Sequence, residues 1–213
     1  MFEQTILPDT LRAIELVAKI PLITNAAYLA GGTALALQLG HRISVDLDFF
    51  TSEKFEAKTL DTQLKQYPEF IHEGVGWGTV WGKLGETKFS YFYYDYPLLF
   101  DTYDFLGIKL ADKRDIAAMK VVAIGDRGTK RDFVDLWFLA QEYSLDQILE
   151  FYDQKYHKLE SNLYHIIRSL SFFDEAERET SQLDMLKPLN WKEVKVFFSG
   201  EAKRLAKERL LPR

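Results

Sequence analysis

The chemistry in this sequence concentrates in residues 28–50. Asp46 and Asp48 are separated by one leucine. On an extended strand that spacing puts both carboxylates on one face, about 7 Å apart along the chain. Two like charges so placed repel unless a cation lies between them. Magnesium takes carboxylate oxygens together with the phosphate oxygens of a nucleotide. Two such ions can activate an attacking hydroxyl and neutralise a departing pyrophosphate. Upstream, Gly31 and Gly32 sit between an apolar run and a helical pattern. A glycine pair there turns the backbone sharply and lets a ligand approach the amides, and the helix N-terminus beyond it favours phosphate. Singly, each feature reads equally well as a tight turn or as a solvated strand face. Together they are more informative, because one short helix brings the glycine amides and the carboxylates to the same sheet edge.

The elements that must position these residues follow from periodicity. Residues 11–20 have helical spacing, closed by Pro21. Residues 27–30 form a short apolar strand, and residues 33–39 a helix ended by Gly40. Residues 44–50 alternate, with Val45, Leu47 and Phe49 facing inward and Asp46, Asp48 and Phe50 facing outward. Residues 54–66 read as a helix, and the aromatic, glycine and threonine-rich stretch 70–100 as hairpin strands. From Asp112, a candidate N-cap with Asp115 three residues on, the pattern becomes helical. Helices are predicted at 113–124, 130–142, 145–156, 160–173 and 191–210, with Ser144 and Asn190 as caps. The expected fold is α+β: a small mixed β-sheet core with helices over 1–110, then a helical region over 111–213 that completes the active site.

The stretch from Tyr28 to Phe50 resembles the nucleotidyltransferase superfamily, with its polymerase-β-like core, whose signature is Gly-Gly or Gly-Ser followed by Asp-x-Asp. It is more closely similar to the AbiEii/AbiGii toxin family, which shows Gly-Gly-Thr-x-Leu and then His-Arg-x-Ser-x-Asp-Leu-Asp-Phe. Here these are Gly31 to Leu35 and His41 to Phe49. Later family motifs, Lys-x-x-Ala-x-x-x-Arg and Arg-Asp-x-x-Asp-Leu, are matched by Lys120, Ala123 and Arg127 and by Arg131, Asp132, Asp135 and Leu136.

The resemblance implies transfer of a nucleotidyl group from a nucleoside triphosphate to a hydroxyl acceptor. It suggests RNA as acceptor, transfer RNA for some relatives, and a toxin role opposed by a cognate antitoxin. Asp46 and Asp48 would hold Mg2+ or Mn2+. Gly31, Gly32, Thr33, Arg42, Ser44 and Lys120 would contact the nucleotide. Asp132 would orient or deprotonate the acceptor, with Arg131 and Asp135 supporting from behind. One departure stands out. Many nucleotidyltransferases carry a third carboxylate on a later strand, but residues 88–94 contain no acid, and Asp95 lies just beyond them. Two other readings stay open: transfer to a protein hydroxyl, and a degenerate module that holds nucleotide without turnover.

The second block also reads by itself. Lys113, Lys120 and Arg127 recur at intervals of seven and share a helix face. Lys120 lies among Ala117, Ala123 and Ile124, so it either reaches a phosphate or snorkels from the core. Asp132 and Asp135 equally suit the first turns of a helix. His41 can cap a helix, and His72, His157 and His165 have no ligand-like spacing.

Composition bounds the rest. The chain has no cysteine, which excludes disulfides and thiolate zinc sites. Its start lacks a signal-peptide pattern, and no apolar run approaches the length of a membrane helix, so a cytoplasmic protein with no membrane contact is expected. A net charge of -5 excludes a strongly basic nucleic-acid binder, so any RNA must meet a local basic surface. The candidates are Lys113, Arg114, Arg127, Lys130 and Arg131, favoured for their place beside the motifs, and Lys203, Arg204, Lys207, Arg209 and Arg213.

Overall fold

The computed structural model describes residues 1–180 and 182–210. The chain forms two compact units, Met1–Asp112 and Lys113–Arg213.

In the first unit, α1 (Pro8–Val17) buries Ala13, Ile14 and Val17. It begins earlier than the periodicity suggests, because a proline in the first turn removes only an N–H that has no helical partner. Pro21 opens a further short helix, α2 (Pro21–Thr24). Then come β1 (Tyr28–Ala30), α3 (Gly31–Leu39), β2 (Leu47–Thr51) and α4 (Ala57–Leu64). β3 (Phe70–Gly76), β4 (Thr79–Leu84) and β5 (Thr87–Tyr93) occupy the aromatic stretch. Two three-residue strands follow, β6 (Tyr103–Phe105) and β7 (Ile108–Leu110). Elements so short show no alternation to read. Their hairpin turns at Leu106 and Gly107, both with positive φ.

All seven strands form one mixed sheet in the order β3-β4-β5-β2-β1-β7-β6. β2 is central, antiparallel to β1 and parallel to β5. The sheet is strongly two-faced. Leu47, Phe49, Val80, Leu84, Phe89 and Tyr91 are buried, with α1 against β5 and α4 against β3 and β4. The alternate positions Asp48, Phe50, Thr79, Lys83, Ser90 and Phe92 are half-buried, while Trp81 and Lys88 are exposed. A bulge interrupts the β3–β4 pairing between His72 and Gly74.

The second unit is helical among its described residues: α5 (Lys113–Asp126), α6 (Lys130–Leu139), α7 (Leu145–Tyr156), α8 (Leu159–Leu170), α9 (Asp174–Arg178) and α10 (Trp191–Leu205). A π-helical turn, Ala206–Leu210, extends α10. Ser144 caps α7 through a reciprocal box with Gln147, and Asn190 caps α10 by accepting from the Lys192 amide. Phe133 gathers Phe173, Trp191 and Phe198 around itself, with centroids at 4.9, 6.2 and 5.4 Å. Asp115, expected to serve the start of α5, is instead fully buried with its carboxylate 2.7 Å from Lys155 Nζ of α7. Burial pushes the Lys155 pKa down, against the opposing pull of Asp115.

This pair generates a stability prediction. Lys155→Met leaves a buried carboxylate uncompensated and should cost about 3–5 kcal/mol. Asp115→Leu combined with Lys155→Met should recover most of that loss. Urea unfolding of both variants checks it, and a double variant as unstable as the single one would show that the cost lies elsewhere.

Candidate active site

The first unit presents the two carboxylates. β2 starts at Leu47, so Asp46 lies just before the strand rather than within it. The alternation expected from residue 44 begins at 47, and Val45 is exposed instead of buried. The segment ahead of β2 is fixed by local bonds instead. The Ser44 amide donates to the Thr5 carbonyl at 2.9 Å. Thr33 Oγ1 lies 2.5 Å from the Asp46 carbonyl and 3.0 Å from Ser44 Oγ. Both hydroxyl residues are buried. Thr33 and Ser44, expected at the nucleotide, are thus buried and bonded to the segment that carries Asp46.

α3 begins directly at Gly31, and no side chain caps its first turn. Gly31 has φ +71°, a left-handed conformation that glycine adopts without strain. A Cβ there would stand 3.3 Å from Asp48 Oδ2, so the start of α3 and the Asp48 carboxylate are in near contact. At Gly32 a Cβ would collide with Arg42 Nη2. Arg42 is buried and donates to the Ile43 carbonyl at 3.0 Å. Its guanidinium thus underlies the glycine turn.

Asp46 and Asp48 are only half-buried. On the neighbouring strands, Asp48 is in register with Ala30 on one side and Ser90 on the other. The position that would carry a third acid is therefore a serine. Asp95 is past the end of β5, and Tyr93 already pairs with Thr51. Among the described residues no group of three acidic, histidine or cysteine side chains could hold a metal. This donor set suits a divalent ion that completes its shell with water and substrate oxygens, as magnesium does, and not a closed cage.

The second unit gathers the later motifs. Lys120 Nζ lies 3.0 Å from Asp132 Oδ1 and 2.6 Å from Asp135 Oδ2. Arg127 binds both Asp132 oxygens, at 2.8 and 2.9 Å, and Thr129 Oγ1 donates to Oδ2 at 2.6 Å. Lys120, Asp132 and Asp135 are buried. Burial raises the Asp132 pKa, but the Arg127 hydrogen bonds, the Lys120 and Arg127 charges and the Thr129 hydroxyl outweigh it, leaving the carboxyl well below its usual range. So placed, Lys120 has two carboxylates for partners. Both Asp132 oxygens accept hydrogen bonds in this arrangement. Arg131 is half-buried on α6.

The basic residues favoured for docking are largely engaged. Lys113 pairs with Glu142, and Lys130 Nζ lies 5.3 Å from the Trp191 ring. Arg204 and Arg209 both bind Asp146, and Arg213 lies outside the described residues. The histidines have structural partners, His72 with Asp61 at 2.6 Å and His165 with the Gly125 carbonyl at 3.1 Å. His157 ends α7 with positive φ.

The buried network predicts an acid-dependent stability. Asp132 has a folded pKa below its ordinary 3.8, so its stabilisation is complete above that value and drains away as pH falls toward the folded pKa. Asp132→Asn should cost about 3 kcal/mol or more at pH 7, with the gap to wild type narrowing below about pH 4. Denaturant unfolding at both pH values tests this, and parallel curves would contradict it.

The family model for "Nucleotidyl transferase AbiEii toxin, Type IV TA system" matches residues 16–110 and 92–207. An uncharacterized protein of Aquifex aeolicus, aq_aa25, is 38% identical over 187 residues, covering 85% of this chain and 88% of its own. In fold, the chain resembles the crystal structure of JHP933 from Helicobacter pylori, with TM-score 0.52, 20% identity, and 93% and 90% of the two chains covered. A second H. pylori structure, itself proposed to be a nucleotidyltransferase, gives TM-score 0.50 at 20% identity over 100% of both chains. At such identity these two structures speak for the fold alone. With a family match spanning both units, the chain belongs to the AbiEii family of nucleotidyltransferase toxins of type IV toxin–antitoxin systems.

Proposed function

We propose that the chain transfers a nucleoside monophosphate from a nucleoside triphosphate to a hydroxyl of an RNA acceptor, transfer RNA being the favoured class. The observation that carries this reading is the pair of half-buried carboxylates, Asp46 and Asp48, beside the uncapped, glycine-opened start of α3. The acceptor oxygen forms a bond to the α-phosphorus, the bond to the departing pyrophosphate breaks, and the hydroxyl proton leaves to solvent. Asp46 and Asp48 would hold Mg2+ or Mn2+, which when bound supplies charge neutralisation for the phosphates. The first-turn amides of α3 donate to phosphate oxygens, and Gly31 and Gly32 leave them room. Thr33, Ser44 and Arg42 keep that cradle rigid, so that catalysis is mainly positioning. Lys120, Asp132, Asp135 and Arg127 enter this reading as a charge network that fixes α5 against α6, with Arg131 beside it.

Family membership implies a cognate antitoxin. Among the described residues no helix is long and apolar enough to cross a membrane. A reaction that uses triphosphate and RNA as substrates would be cytoplasmic.

Labelled triphosphates incubated with total RNA and with total protein test the acceptor, and labelled RNA is expected. Label in protein alone would move the acceptor to a protein hydroxyl, and triphosphate binding with no label anywhere would leave a binding module. Asp46→Asn and Asp48→Asn should each abolish transfer without lowering the melting temperature, since each removes one of two neighbouring like charges. Retained transfer in both would sink the carboxylate-pair mechanism.

A further inference from the structure

We propose that the open face of β4 and β5 is a docking strip for single-stranded RNA, with Lys83 and Lys88 meeting phosphates and Trp81 stacking on a base. Its biological purpose rests on the acceptor reading above, but the binding itself is testable without transfer.

The strip follows from register. Asp48 pairs with Ser90 on β5, and Ser90 pairs with Trp81 on β4. These three residues form one row across the sheet, on the face opposite buried Phe49, Phe89 and Val80. At about 4.8 Å per strand, the Trp81 position is roughly 10 Å from Asp48. Trp81 remains 38% exposed. It is held down by a specific device: a Cβ at Gly74 would collide with its ring, so the glycine lets the indole lie against β3. In the adjacent row, Lys83 and Lys88 are direct cross-strand partners.

Two lysines placed opposite each other destabilise a hairpin. Among the described residues neither has an ion-pair partner to relieve this. Glu69 and Glu86 line a groove with Asp9, Arg12 and Leu84, on the side covered by α1. A chain of net charge -5 thus keeps two facing lysines next to an exposed indole, in line with its carboxylate site. A groove that combines positive charge with aromatic platforms is the recognition chemistry of single-stranded nucleic acid. Among the candidate cations of the second unit, Lys113 and Arg127 of the favoured group and Arg204 and Arg209 of the other are bound to carboxylates.

The test is fluorescence anisotropy of the full chain with a labelled single-stranded RNA of about 12 nucleotides, within the usual span of such sites. Lys88→Glu turns a repelling cross-strand pair into an attracting one. Its melting temperature should hold or rise, while RNA affinity at low salt falls about tenfold and the log–log salt slope shrinks by about 0.7 for each phosphate that is no longer neutralised. Trp81→Ala should weaken the single strand about tenfold, and Trp81→Phe should restore most of that loss. Wild-type protein that fails to bind, or folded Lys88→Glu and Trp81→Ala variants that bind as tightly as wild type, would overturn the strip. The acceptor reading is separated by the transfer assay: RNA bound through these residues yet never labelled supports the strip and refutes RNA as acceptor.

Discussion

A carboxylate can be held at a defined place on a sheet only if its strand cannot slip, and much of the first unit depends on this property of β2. A shift of one residue would carry Asp48 into the core and Phe49 out of it. Leu47 and Phe49, essentially inaccessible, set that cost, and each is worth about 1.5–3 kcal/mol of burial. β2 is also clamped on both sides, by β1 in one direction and by β5 in the other. The same clamp aligns Ser90 with Asp48 and places Trp81 in the same row. Because Asp46 lies outside the strand, its position comes from different forces, the Thr33 and Ser44 bonds. The two carboxylates are thus held by two mechanisms, apolar register for one and buried hydroxyls for the other.

Charge is handled differently in the two units. In the first, Asp46 and Asp48 stay partly solvated, where a cation or phosphate chemistry can reach them. In the second, Lys120, Asp132 and Asp135 are buried together, and Asp115 and Lys155 form another buried pair. Such networks are satisfied internally, and removing one member strands the rest.

The site is more legible in the sequence than its supports are. Gly31, Gly32, Asp46 and Asp48 stand out only in combination, because a glycine turn and an acid pair fall at either end of one short helix. The boundaries 145–156 are legible because a Ser144–Gln147 box and regular apolar spacing coincide. The burial of Lys120 is not: a lysine among alanines reads alike whether its ammonium meets phosphate or carboxylate, and its partners lie on the next helix. Lys155 with Asp115 is harder still, since nothing local marks residues so distant in sequence as partners. The β6–β7 hairpin escapes because three-residue strands are too short to alternate. Lys83, Trp81 and Lys88 have a usable signal in the alternation of 79–93, but their meaning depends on register, which spacing within one strand does not carry.

The bulge between His72 and Gly74 has a consequence for the protein's fate in a crowded cell. β3 ends the sheet and so offers unpaired amides and carbonyls to any extended chain that approaches. The register shift breaks that row partway along, and Glu73, exposed at the break, adds a charge that an incoming strand would have to desolvate. The opposite edge, β6, has three residues, too few to template a lasting pair. Both edges of the sheet thus carry features that disfavour strand addition by a second chain.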